Sequence, residues 1–235
     1  MNAIDPIQLI QTAWERFKTN PLLYIGMWVV YALLQPGGGA LNFADPNIER
    51  AVGEEIFIAI IVVGLGWSCF TMLLGPILRG GYDLAMLRAY RGDESLAFGD
   101  LFLGFPKALN LVITGFLFGL AVGFGMILCI VPGIILALGL WPAFLLVMED
   151  DLDPIEALKG AWALTSGHKL QLLILSLIVG LLNMAGFMAC CIGVFVTGPL
   201  GQIAWVGAYD AMRNPAAGTS SQGSYGSGFD ASPAS

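Results

Sequence analysis

The sequence predicts an all-α fold, a polytopic membrane protein of six transmembrane helices with three cytoplasmic interfacial amphipathic helices. Three observations carry this prediction. Of the 235 residues, 57% are hydrophobic and 11% charged, and the mean hydropathy is +0.79, whereas soluble domains carry about 25% charged residues. Apolar runs close to the roughly 20 residues that an α-helix needs to cross hydrocarbon recur six times. The basic residues divide unevenly between the loops, as they do where cytoplasmic loops collect Lys and Arg.

The runs cover about 21–35, 56–78, 108–129, 133–148, 170–189 and 192–212. The first and fourth are short and must extend into their flanks or stand with little tilt. A polar, acid-containing segment precedes Pro21 and no small-residue cleavage site follows, so the N-terminus is expected to be retained. Between 108 and 148 the pentapeptide CIVPG, Cys129 to Gly133, supplies a helix-ending Pro-Gly pair. ACCIG, Ala189 to Gly193, is a weaker break without proline, but it falls near the midpoint of the stretch from Leu170 to Met212 and divides it into a second hairpin. With the N-terminus inside, Arg16, Lys18, Arg79, Arg88, Arg91, Lys107, Lys159, Lys169 and Arg213 are cytoplasmic and only Arg50 is external. An odd number of spans would move part of that set to the wrong side. The expected location is therefore the cell membrane, with both termini cytoplasmic.

The polar island EDDLDPIEALKGAWALTSGH, residues 149–168, holds five carboxylates and the chain's single histidine. Asp153, Pro154 and Glu156 suit an N-cap, a first-turn proline and an acid at the positive end of a helix. Ile155, Leu158, Trp162 and Thr165 then form a stripe, and Gly167 ends the helix. Such a helix lies on the membrane surface with Trp162 at headgroup depth. DPIQLIQTAW, Asp5 to Trp14, matches DPIEALKGAW, Asp153 to Trp162, at five of ten positions. A weaker third copy is SLAFGDLFLGFPK, Ser95 to Lys107, with a stripe of Phe98, Leu101, Phe102 and Phe105. Residues 1–213 thus read as one membrane domain of three units, about 5–78, 95–148 and 153–212, each an interfacial helix followed by a hairpin. The units share one orientation, so rotation about an axis near the membrane normal relates them. Trp14, Trp162 and Phe105 are the expected interfacial anchors.

The motifs AWERFKTNPLLYI, FGDLFLGFPKALNLV, PGIILALGLWPAFLLVMED and PIEALKGAWALTSGHKLQLL resemble those of the YciC-like bacterial inner-membrane proteins, akin to the membrane domain attached to some glycerophosphoryl diester phosphodiesterases. The likeness covers roughly residues 5–213. It implies an integral membrane protein of unassigned role and carries over no catalytic residue, because the phosphodiesterase barrel is missing from this chain.

The remaining polar residues point to packing and capping. Glu149, Asp150, Asp151, Asp153 and Glu156 fit no calcium-loop spacing and read as caps, and His168 reads as an interfacial histidine without partners at ligand spacing. No metal, cofactor or catalytic residue is expected. A net charge of -7 argues against nucleic acid. Cys69, Cys129, Cys190 and Cys191 read as small buried thiols, with a bridge from Cys129 to Cys190 or Cys191 left open. Asp83 and Asp210, in GYDLAMLR and AYDAMR, read as end-caps paired with Arg88 or Arg213. Ser68, Thr71, Asn110, Thr114, Ser176, Asn183 and Gln202 read as interhelical hydrogen-bonding groups. Gly115, Gly119 and Gly123 make a small-residue ridge for close helix packing. Pro76, Pro142 and Pro199 are expected to kink the even-numbered spans. The tail from Asn214 to Ser235, rich in Gly, Ser and Ala, is expected to be disordered.

Abundant packing surfaces and missing reactive groups favour a non-enzymatic membrane organiser or accessory subunit, whose partners are the lipid bilayer and a membrane protein or a second copy of the chain. The alternative is a transporter or channel for a small or lipid-like solute, and an intramembrane enzyme ranks third.

Overall fold

In a computed structural model of the chain, residues 5–34, 53–93, 95–188 and 193–214 are described, and they form helices and turns without a strand. The expected tail beyond Asn214, most of the expected loop at 36–55, and Cys190 and Cys191 lie outside the described residues. Asp5 caps α1, Pro6–Phe17, by accepting the Ile7 N–H at 3.0 Å. Then come α2, Pro21–Leu34; α3, Glu54–Arg91; α4, Ala108–Leu128; α5, Ile130–Leu140; α6, Ala143–Asp150; α7, Pro154–Thr165; α8, Lys169–Met188; and α9, Val194–Arg213. Among the described residues, four segments are long and apolar enough to cross a membrane: Glu55–Arg91, Phe98–Leu128, Ile130–Asp150 and Lys169–Met188. Pro21–Leu34 is apolar but shorter. The 20 residues of α9 are diluted by Thr197, Gln202, Asp210 and Arg213.

Three boundaries differ from the sequence reading. The turn between α4 and α5 is Cys129 alone, extended at φ -171° and ψ 153°, so Pro132 falls in the first turn of α5, where its missing N–H costs no helical bond. Gly133 acts by contact and not by ending a helix: a Cβ on Gly125 would lie 3.0 Å from its Cα. The pair Gly186 and Gly193 brings α8 against α9 in the same manner, with a Cβ on Gly193 2.6 Å from the Gly186 Cα. Second, the run 133–148 is not one helix. Pro142 interrupts it, and α6 restarts with Pro142 as its N-cap. Pro76 and Pro199, by contrast, lie inside α3 and α9.

Third, Ser95 to Phe105 forms no α-helix but a 3-10 turn, Phe98–Phe102, followed by another at Phe105–Lys107. Gly99 and Gly104 weaken helical propensity there, and Pro106 cannot continue a helix. The segment is still built into the fold, because Leu101 is buried and its carbonyl lies where a Cβ of Gly81 would be.

Contacts between elements follow a cyclic order. α1 packs on α9, the Phe98–Phe102 turn on α3, and α7 on α5 and α6. α2 lies against α3 and α9, α4 against α5 and α3, and α8 against α9 and α5. Each opening segment, and each first helix of a hairpin, therefore touches the second helix of the hairpin before it, and the first set closes on the last. α1 and α7 each span 12 residues and are followed by three residues before the next helix. Their burial also matches position by position: Leu9, Ala13 and Phe17 are buried in α1, and Ala157, Ala161 and Thr165 in α7, while Ile7, Trp14, Ile155 and Trp162 are exposed.

The core sits where α3, α5–α6 and α9 meet. Its largest fully buried side chains include Tyr82, Tyr209, Phe144, Met27, Met86 and Leu111. Most apolar side chains of α3 before Leu74, and those on one side of α4 and of α8, face outward, with Ile127 86% and Met188 78% exposed, a pattern that suits lipid and not water, while Leu111, Leu172 and Leu175 turn inward.

Of the glycine ridge, only Gly115 touches another helix: its Cβ would lie 2.6 Å from Pro76 Cγ, while Gly119 and Gly123 have nothing within 4 Å. Gly115→Val is expected to destabilise the protein by about 1–3 kcal/mol through overpacking, and Gly119→Val to change it by less than about 0.5 kcal/mol. Unfolding in mixed micelles measures both, and equal midpoints would show that the α3–α4 contact is not close.

Candidate functional site

Among the described residues, the interior holds one fully buried carboxylate, which the sequence reading treated as an end-cap. Asp83 is fully buried on α3, eight residues before the helix ends at Arg91, or about 12 Å along its axis at 1.5 Å per residue. The reading placed the end of this span near Leu78, but Gly80 and Gly81 do not interrupt the helix, and Asp83 pairs with neither Arg88 nor Arg213. Its Oδ1 accepts a hydrogen bond from Gln202 Nε2 of α9 at 2.5 Å, and its Oδ2 faces Arg79 Nε at 3.6 Å, too long for a hydrogen bond. The Arg79 guanidinium lies 4.3 Å from the ring centre of Phe144 and 5.4 Å from that of Phe118, so α4 and α6 hold the counter-ion by their aromatic faces. Beyond Gln202 opens a cleft of about 340 Å³ between α2, α8 and α9, whose walls include Trp28, Asn183 and Trp205.

A second polar cluster ties together the ends of α3, α6 and α9. Arg91 bridges Glu149 at 2.5 Å and Asp210 at 2.7 Å, while Arg213 reaches Asp150 at 2.5 Å and Glu149 at 3.3 Å. The Tyr209 hydroxyl donates to Glu149 at 2.8 Å and accepts from Arg213 at 2.6 Å. The hydrogen bond to Asp150 above all holds the Arg213 guanidinium more firmly protonated than usual, against the effect of burial. Lys107 adds a clamp, donating to the Val147 and Met148 carbonyls at 3.1 Å and pairing with Asp151 at 3.0 Å. Glu149, Asp150 and Asp151 thus work as interhelical partners more than as caps, and Asp153 makes no side-chain cap bond.

No protein-family model, curated protein or solved structure matches the chain. The site is therefore read from its own chemistry. Among the described residues, no group of three or more His, Cys, Asp or Glu could hold a metal ion. The arrangement offers recognition groups: amides, indole faces and a buried ion pair.

The other anticipated residues are dispersed. Trp14 stacks on Phe17 with ring centres 6.0 Å apart, and Phe105 lies 5.9 Å from Phe102. The Trp162 ring packs where a Cβ of Gly139 would be, with the Lys169 ammonium 3.2 Å above it. The stripe on α7 is split, since Thr165 turns inward and bonds the Gly139 carbonyl at 3.0 Å while Ile155 stays exposed. Of the expected interhelical polar groups, Thr71, Thr114 and Ser176 bond carbonyls of their own helices instead. Gln202 makes the interhelical bond, to a partner 119 positions away that no local pattern marks. Cys69 and Cys129 are exposed.

Gln202→Leu leaves a buried carboxylate without its strongest donor and is expected to cost about 2–3 kcal/mol. Adding Asp83→Leu to it is expected to restore at least about 1 kcal/mol, a coupling that a double-mutant cycle reads directly. Strict additivity of the two substitutions would show that the hydrogen bond carries no weight.

Proposed function

We propose that the chain is an integral membrane protein that crosses the bilayer six times with both termini in the cytoplasm, and that it serves as a non-enzymatic organiser or accessory subunit of the membrane. The observation that carries the role is the filled interior. Tyr82, Tyr209, Phe144 and Met86 close the space between α3, α6 and α9, and the ion pairs of Arg91 and Arg213 fasten the same three helices at one end. A body so packed suits a fixed surface for other membrane proteins. The likeness to YciC-like membrane proteins agrees with this reading and adds no chemistry to it.

The cyclic contact order and the matched burial of α1 and α7 support three repeated units related by rotation about a common axis. The Phe98–Phe102 turn takes the place of the opening helix in the middle unit. Both termini then fall on the side that holds the basic residues, with Arg50 opposite. Labelling of single introduced cysteines with an impermeant reagent, in a background lacking the native four, tests the topology: position 45 is expected to react from outside and position 225 only after permeabilisation. External reaction at 225 overturns the six-span arrangement.

For the role itself, affinity purification in a mild detergent is expected to recover a membrane-protein partner in constant stoichiometry. A second reading, transport of a small or lipid-like solute, is favoured by Asp83 and the neighbouring cleft, since ionisable residues inside membrane bundles often mark solute paths. Solute flux into proteoliposomes that is abolished by Asp83→Asn, with no partner recovered, would replace the first reading by the second.

A further inference from the structure

We propose that the cleft between α2, α8 and α9 is a binding site for a small neutral molecule bearing hydroxyl or amide groups. This goes beyond the organiser role and stands without it. At about 340 Å³ the cleft falls within the usual range of small-molecule sites, roughly 300–1,000 Å³. It is lined by two primary amides, Asn183 and Gln202, and by two indoles, Trp28 and Trp205, with Gly198 and Gly201 of α9 between them. Gly198 is what lets Trp28 lie across α9, because a Cβ there would collide with the indole ring.

The amides are the telling groups. Gln202 is anchored from behind: its N–H donates to Asp83, which leaves its carbonyl oxygen without a partner among the described residues. Asn183 makes no hydrogen bond within the described residues, although it lies on a helix whose exposed side chains are almost all apolar. An amide that water or protein does not satisfy is costly in an apolar setting, so its partner is expected to arrive from outside the chain. An aliphatic occupant would leave the Asn183 amide and the Gln202 carbonyl without partners. An ionic occupant would meet no charge on the walls, because the nearest carboxylate, Asp83, is already balanced by Arg79. A neutral molecule that donates and accepts hydrogen bonds while presenting an apolar face to the indoles meets both limits.

The same polar unit could belong to a free solute or to the end of a bilayer amphiphile, and paired probes separate the two. Tritiated N-acetylethanolamine supplied from water and tritiated N-dodecanoylethanolamine supplied in the bilayer are each measured for equilibrium binding to the full chain in nanodiscs. Saturable binding approaching one molecule per chain is expected for at least one probe. Saturation by the water-borne probe alone assigns a free solute, and by the lipid-borne probe alone an amphiphile. Asn183→Leu, which keeps bulk and removes both hydrogen-bonding atoms, is expected to weaken binding at least about tenfold. Val194→Phe, at the first turn of α9 where that residue lines the cleft, is expected to do the same and guards against a folding defect in the first variant. Gly119→Ala, at an open position on α4, leaves binding unchanged. Uptake that never saturates, or that is equal in the wild type and both cleft variants, overturns the proposal.

Discussion

The meeting of α3, α5–α6 and α9 is the contact on which the other elements depend. These helices carry most of the fully buried large side chains, and α1, the Phe98–Phe102 turn and α7 each find their place by packing on one of them. Burial of a large apolar side chain contributes about 1.5–3 kcal/mol, whereas an ion pair as open to solvent as those of Arg91 and Arg213 contributes about 0–1 kcal/mol. The aromatic and aliphatic core therefore sets the stability. The charged cluster at the helix ends has a different part: it fixes how far each helix has slid along its neighbours, because Glu149 reaches Arg91, Arg213 and Tyr209 only in one register.

Among the described residues, glycines act at contacts more than at turns. Gly125 with Gly133, and Gly186 with Gly193, let the two arms of a hairpin approach closely next to its tip, while Gly81 and Gly26 admit the Leu101 carbonyl and the Phe98 ring. A repeated spacing such as Gly115, Gly119 and Gly123 marks a smooth helix face, and the structure uses one position of it for packing against Pro76. Contact glycines are thus defined by what comes near them, which is a property of the fold and not of spacing along one helix.

This difference explains what the sequence could and could not disclose. Helicity and the apolar segments were legible because composition and run length decide them, and α1 and α7 were legible through Asp-Pro-Ile and the spacing to tryptophan. The break in CIVPG was legible, but it falls at Cys129 and not at the Pro-Gly pair, because proline ends one helix and begins another by the same chemistry, and only the backbone tells which. The middle opening segment was read as a helix from its phenylalanine stripe, but Gly99, Gly104 and Pro106 outweigh periodicity over so short a length. Most of the candidate site was hidden. Asp83 resembles Asp210 in its local phrase, yet one is sealed behind Gln202 and the other, partly buried, pairs with Arg91 in the cluster at the helix ends, a contrast that long-range packing alone creates.

The length of α3 has a consequence for how the protein is held together. Its 38 residues extend about 57 Å, nearly twice the roughly 30 Å of hydrocarbon in a bilayer. Its outward-facing apolar side chains end near Leu73, and beyond that point other parts of the chain cover it. If its first half lies in lipid, as the six-span arrangement requires, one helix has two surroundings. In the first it meets lipid tails, which are as apolar as leucine, so that exchange of one apolar side chain for another alters little. In the second, other helices pack on it, and fit between side chains decides what is tolerated. A change of volume at Tyr82, Met86 or Tyr209 would then disturb the whole fold, while the same change at Val63 or Leu65 would leave it nearly untouched.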